Sequence, residues 1–151
     1  MKPFVFERFQ TIPTTIDTAW DFFSDPANLA RITPPGMHFC VTSPHQTTTY
    51  AGQIITYTVR PLLGISMNWT TEITHVNKPH FFVDEQRFGP YRFWHHQHFF
   101  REVDGGVEIR DLVHYLLFHD QMAGLVNRLI VAPRLNKIFA YRTKKLHDIF
   151  T

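Results

Sequence analysis

Residues 89–117 read GPYRFWHHQHFFREVDGGVEIRDLVHYLL, and the fold turns on how this stretch divides. Asp104-Gly105-Gly106 separates two runs rich in aromatic and β-branched residues, the pattern of two strands joined by a tight turn. The strands are expected over 92–103 and 107–117. Side chains alternate along a strand. Arg92, Trp94, His96, His98 and Phe100 therefore share one face, and Phe93, His95, Gln97 and Phe99 the other. Three histidines within four positions are not one cluster. A turn at Gly105-Gly106 puts Phe100 opposite Asp111, His98 opposite Val113 and His96 opposite Tyr115. A turn at Asp104-Gly105 puts His98 opposite Asp111 instead. The faces are the same either way.

Working outward, strand 81–88 meets strand 92–103 across Gly89-Pro90-Tyr91. A three-residue loop sets Gln86 opposite Trp94 and Asp84 opposite His96; a two-residue Gly-Pro loop would invert the faces of strand 81–88. With the longer loop, one face carries Phe82, Asp84, Gln86, Trp94, His96, His98, Phe100, Asp111, Val113, Tyr115 and Leu117. The other carries Glu85, Arg87, Arg101, Glu108 and Arg110, with Phe93 and His95. Alternating charges suit cross-strand ion pairs in solvent. The first face is therefore the inner one, and its polar groups must be paired or line a wet cavity.

The same punctuation predicts strands over 3–12, 38–43, 52–60 and 66–76. Short connections between strands imply antiparallel pairing. Thr14–Ser24 reads as a helix capped by Thr14, with Asp17 three residues on, and Asp25-Pro26 starts a second, short one. Thr33-Pro34-Pro35-Gly36 stops it. Stretches 44–51 and 61–65 are candidate loops over a cavity mouth. The last thirty residues read as helical, with Asp120 as a cap. Leu135, Ile138, Phe139, Leu146, Ile149 and Phe150 follow helical spacing with Arg142 in their midst, and Pro133 predicts a kink or a split. That stripe must be buried, and the sheet is the only large surface available. The expected architecture is α+β, one domain over 1–151: a curved antiparallel sheet, two short helices after the first strand, and a long C-terminal helix packed on the sheet.

The chain has 151 residues, enough for one substantial core. Its fifteen Phe suit a bulky core or a ring-lined cavity. A net charge of +2 is too weak to imply nucleic acid. Cys40 stands alone, so no intramolecular disulfide can form, which favours a reducing, cytoplasmic setting. The N-terminus shows no signal-peptide core, and no apolar run reaches the ~18 residues of a membrane span.

Several stretches, in order, resemble the START-like superfamily (Bet v 1-like, SRPBCC), and most closely its bacterial polyketide cyclase/dehydrase-like branch, loosely labelled cell division inhibitor. They are Trp20-Asp-Phe-Phe-Ser-Asp-Pro-Ala-Asn-Leu29, Thr33-Pro-Pro35, Trp69-Thr-Thr-Glu-Ile73, the Asp84–Phe100 segment with W-x-H-x-H-x-F, Asp111-Leu-Val-His-Tyr115 and Ile138-Phe-Ala-Tyr-Arg142. The resemblance implies a helix-grip fold with an apolar cavity between sheet and terminal helix. It does not imply one function, since the superfamily includes carriers, receptors, cyclases and oligomeric modules.

Three functions fit. A cavity lined by Trp69, Phe82, Trp94, Phe100, Val113 and Phe139 would bury a small hydrophobic molecule, with Asp84, Gln86 and Arg142 orienting it. Alternatively, His98 with Asp111 and His96 with Asp84 could move protons while Tyr115 donates to a substrate oxygen, as cyclisation, dehydration or isomerisation requires. Third, a filled core would leave a protein-interaction module marked by Phe93 and Phe99 on the outer face. His96 and His98 lie ~6–7 Å apart along the strand, a spacing that can share a metal, but no further ligand is marked by spacing, and no metal or cofactor is expected. Arg142, on the buried stripe, needs an acidic partner, a path to solvent, or the anionic end of a ligand. A monomer or weak homodimer is expected.

Overall fold

The computed structural model describes residues 2–61, 64–118 and 121–151. Asp120, the expected cap of the last helical region, lies outside these.

The hairpin of the opening stretch forms as β6 (Phe93–Val103) and β7 (Gly106–Leu116) around a two-residue Asp104-Gly105 turn. Gly105 has φ +85°, a conformation that glycine reaches without a Cβ penalty. Val103 pairs with Gly106, which sets His98 opposite Asp111 and His96 opposite Val113. Of the two registers the sequence allows, this is the one with the earlier turn. A Cβ on Gly106 would lie 2.0 Å from the Ile12 carbonyl oxygen, so the backbone of the first strand closes directly over this turn.

That first strand, β1 (Phe4–Ile12), pairs antiparallel with β7 along its whole length. The hairpin continues on its other side through β5 (Phe81–Phe88), β4 (Met67–Asn77), β3 (Gln53–Val59) and the two-residue β2 (Cys40–Val41). The seven strands form one antiparallel sheet in the order β1-β7-β6-β5-β4-β3-β2. Asp84 pairs with His96, as the three-residue 89–91 loop requires. Register shifts in the β4–β5 ladder mark bulges, which bend a sheet. The strand expected over 38–43 shrinks to two residues, because His38 turns into a left-handed conformation at φ +46°.

Between β1 and β2 the chain makes α1 (Ile16–Phe23) and α2 (Pro26–Leu29). The α1 cap is Thr15, one residue later than expected: its Oγ1 accepts from the Thr18 amide at 3.3 Å. Asp25 caps α2 through the Ala27 amide at 2.9 Å, with Pro26 in the first turn. At the C-terminal end, α3 (Ala123–Val126) runs through a π-helical turn over Asn127–Val131 into α4 (Ala132–Phe150). Pro133 falls in the first turn of α4, where its missing N–H costs least, and the irregularity expected of it is taken up in the turn before.

The buried positions of α4 are Leu135, Phe139, Arg142 and Leu146, a stripe at helical spacing facing the sheet. The core divides into two apolar clusters. One gathers Trp20, Phe82, Phe100, Ile109 and Leu146 beneath α1. The other gathers Phe6, Trp69, Trp94, Val113, Tyr115 and Phe139 beneath the start of α4. The buried polar residues His96, His98, Asp111 and Arg142 belong to neither. On the outer face the expected cross-strand pairs form: Arg101–Glu108 at 2.7 Å, Arg110–Glu7 at 2.7 Å and Arg87–Glu72 at 2.6 Å.

Candidate functional site

The site is the polar belt between the two clusters. Strand alternation brings it there: His96 and His98 on β6, Asp111 on β7 and Asp84 on β5 all point inward, and α4 lays Arg142 across them. The two imidazoles pack against each other, tilted by 34°, with centroids 3.8 Å apart. His98 also stacks on Phe82 at 4.1 Å, and the edges of Trp94 and Phe139 flank His96 at 6.1 and 6.0 Å. The belt is thus a polar layer between aromatic rings.

The hydrogen bonds run diagonally. His96 Nε2 lies 2.8 Å from Asp111 Oδ1, and His98 Nε2 lies 2.6 Å from Asp84 Oδ2. The directly opposed contacts are longer: His96 Nδ1 to Asp84 at 3.4 Å and His98 Nδ1 to Asp111 at 3.3 Å. The expected partners are therefore exchanged. Each ring is turned so that its far nitrogen reaches the diagonal carboxylate, a reach that diagonal neighbours on adjacent strands allow.

Burial opposes charge at every one of these groups, and the outcome depends on neighbours. At Asp111 burial is outweighed by the hydrogen bond from His96 and by the adjacent His98, which hold the carboxyl well below the ordinary range. Asp84 is held down likewise against burial, first by His96, then by His98 and Arg142. The histidines part ways. Burial, reinforced by the adjacent His98, pushes His96 below its ordinary value. His98 rises above its own, because Asp111 and Asp84 together outweigh its burial. Burial lowers Arg142, which still keeps its charge at neutral pH. The charged form is thus favoured at His98 and the neutral form at His96, and a charged His98 with Arg142 would balance the two carboxylates. The belt holds an acid and a base in contact.

A cavity of about 230 Å³ opens beside the belt, between the inner face of the sheet, α1 and α4. Of the residues singled out in the sequence, Trp69, Phe82, Asp84, Trp94, His96, His98, Phe139 and Arg142 line it. Gln86, Phe100, Val113, Asp111 and Tyr115 do not. Gln86 is spent on its own hairpin, donating to the Tyr91 carbonyl at 2.6 Å and accepting from the Tyr91 amide at 3.1 Å. Phe100 packs on Trp20 and Phe23. Val113 is wholly buried. Asp111 sits behind the imidazoles it accepts from. The Tyr115 hydroxyl donates to Asn127 at 2.6 Å, tying β7 to the π-helical turn.

The cavity also uses residues that sequence reading did not single out. Tyr57 and Thr71 bond each other at 3.0 Å on its wall, and burial raises the Tyr57 hydroxyl pKa. Tyr91 closes against Trp69 and Trp94 at 5.7 and 4.7 Å. Arg134 lines it from α4, beside Ile138 of the apolar stripe. For Arg134 a signal existed: 134, 138 and 142 recur at four-residue spacing on one side of the helix. Thr49 and Pro61, from the stretches read as loops over a cavity mouth, also line it.

The donor atoms of Asp84, His96 and His98 all lie within 4.8 Å of one another, so these three residues could hold a metal ion. Two of those donors already bond each other, His98 to Asp84, so an ion would have to replace that contact.

A curved antiparallel sheet gripping a long C-terminal helix, with a cavity between them, is the helix-grip fold of Bet v 1-like and START-like proteins. Comparison with solved structures shows the same. Protein CV1439 from Chromobacterium violaceum superposes with a TM-score of 0.74 at 11% identity, over 97% of this chain and 96% of that one. Protein Ms6760 from Mycobacterium smegmatis gives 0.71 at 17%, over 96% and 89%. Ginseng major latex-like protein 151 from Panax ginseng gives 0.72 at 10%, over 99% of both chains. No family model and no curated protein matches the chain. No helix among the described residues is long and apolar enough to cross a membrane.

Proposed function

We propose that this protein binds a small, largely apolar molecule in the cavity between the sheet and α4, with the His–Asp–Arg belt orienting its polar end. One observation carries this reading: an apolar cavity of about 230 Å³ abuts a compact set of buried, charged side chains. A few convergent polar groups in an apolar enclosure are what small-molecule recognition requires. Filling the cavity with apolar atoms removes ring surface from water, worth about 25 cal/mol per Å². Native mass spectrometry of protein purified without a His-tag tests it. The expected result is a bound small molecule or uptake of an added apolar probe; saturation by neither overturns the reading.

A second reading draws on the split histidines. His98, shifted towards its charged form, packs against His96, shifted towards its neutral form, and both lie on the cavity wall, which offers an acid and a base within reach of one substrate. Cyclisation, dehydration or isomerisation of a carbonyl compound would use both. Once a ligand is in hand, His98→Gln separates the readings: turnover lost with binding kept supports catalysis, and turnover unchanged removes it. The outer aromatic pair that would mark an interaction module is partly covered, since Phe99 packs on Phe81 at 4.8 Å and beneath the Arg110 guanidinium at 5.0 Å. We place the protein in the cytoplasm, which suits an exposed, unpaired Cys40, and as a monomer or weak homodimer.

A further inference from the structure

The hydrogen-bonding state of the cavity specifies its occupant further. Among the described residues, the buried side-chain polar atoms without a protein partner are Trp69 Nε1, His98 Nδ1, Arg134 Nε and Arg142 Nε. All four belong to residues lining this one cavity. Three of them, the indole and the two guanidinium nitrogens, can only donate. The unmet demand of the cavity is therefore for acceptors.

Arg142 is the strongest claimant. Its residue is 9% exposed, and its guanidinium lies over the Phe139 ring at 4.5 Å, which fixes the plane of the fork. The carboxylates nearest in charge bond the imidazoles, Asp111 accepting from His96 and Asp84 from His98, and neither is hydrogen-bonded to Arg142 Nε. A second donor group lies further along α4. Arg134 is eight residues, about 12 Å, before Arg142. It acts on Tyr91, the ring that also packs against Trp69. Asp25 also lines the cavity and offsets the charge of Arg134, but its carboxylate is engaged in capping α2 through the Ala27 amide.

We propose that the molecule bound here is an organic anion, an apolar body bearing a carboxylate, and that Arg142 receives the carboxylate. The inference rests on the binding function proposed above. Trp69 and Arg134 then meet a second acceptor, such as a carbonyl oxygen, towards the other end of the molecule. A bidentate guanidinium–carboxylate pair satisfies donors that nothing in the protein satisfies.

Decanoate and 1-decanol, which share a chain and differ in the head group, test this by calorimetric titration of the full chain at neutral pH. Decanoate is expected to bind about ten- to a hundredfold tighter, as a charge-assisted hydrogen bond in a buried site implies. Arg142→Met, which keeps the stem length and removes the charge, should bring the two to near parity. The wild-type comparison needs no variant, so the test survives if Arg142→Met does not fold. Decanol binding as tightly as decanoate overturns the anion inference and leaves the binding function standing. So does a folded Arg142→Met that still prefers decanoate. Failure of both probes to bind overturns the two together.

Discussion

Removing Asp111 should be far more costly than removing a surface ion pair of the same length. Asp111 is buried and accepts from His96 Nε2 at 2.8 Å, with His98 Nδ1 at 3.3 Å. Asp111→Ala strands the His96 nitrogen without an acceptor and leaves Asp84 as the belt's one carboxylate beside Arg142 and His98. Breaking a buried pair by deleting one partner costs about 3–5 kcal/mol, because the other charge stays desolvated and uncompensated. In a chain of this length that lowers Tm by about 6–20 °C, and it removes a large part of a typical stability of about 5–15 kcal/mol. The control is Arg101–Glu108, whose 2.7 Å contact is no longer but whose arginine side chain is 71% exposed. Arg101→Ala should cost less than about 1 kcal/mol, since water replaces what is lost and salt screens the rest. Urea denaturation followed by circular dichroism measures both. A double-mutant cycle of Asp111→Ala with His96→Ala should return a coupling of at least about 1 kcal/mol. If Asp111→Ala proves as mild as Arg101→Ala, the belt is more open to solvent than its burial indicates, and the electrostatic account of the site fails.

The histidines predict a stability maximum near their ordinary pKa of about 6.5. His98, raised, contributes stability that is present below that value and is lost as pH climbs through its folded pKa. His96, lowered, does the opposite and loses its contribution as pH falls below the same value, with Asp84 and Asp111 following at more acidic pH. Thermal melts across pH should show both limbs; His98→Gln should flatten the alkaline limb and His96→Gln the first part of the acid limb. A wild-type profile rising steadily from pH 5 to 8 contradicts the split. Tyr115→Phe removes the 2.6 Å bond to Asn127 and should cost about 1 kcal/mol. Hydrogen exchange should localise the loosening to residues 123–131, and uniform protection there refutes the tie. Gly106→Ala forces a Cβ against the Ile12 carbonyl and should cost more than about 2 kcal/mol in thermal unfolding, whereas Gly36→Ala, with open space around it, should be near neutral. Equal effects would mean that β1 does not close over the turn.

Much of this molecule was written in local chemistry. Period-two alternation separated His95 from His96 and His98 and put those two, with Asp84 and Asp111, on the buried face, because a strand leaves no other choice once one face must meet a core. Helical spacing placed Arg142 on the buried side of α4 for the same reason. The loop of Gly89-Pro90-Tyr91 and the turn after Val103 limited the register to few alternatives, and the charges of the outer face chose between its sides.

What remained was settled by atoms far apart in sequence. Which of two glycine turns formed depended on β1 packing its Ile12 carbonyl against Gly106, a contact across 94 residues that no local propensity encodes. Which carboxylate each histidine took depended on how the two rings pack against each other at 3.8 Å, so opposed residues are not the bonded ones. Tyr115 and Gln86 looked like site residues because they share the inner face. Their polar atoms instead met Asn127 and the Tyr91 backbone, partners supplied by the helix packing and by the hairpin loop. Sequence by itself determined which side chains face inward, since that follows from backbone periodicity and burial. Only the tertiary structure decided which of them bond one another and which are left facing the cavity, because hydrogen-bond geometry is fixed to tenths of an ångström by the packing of the whole chain.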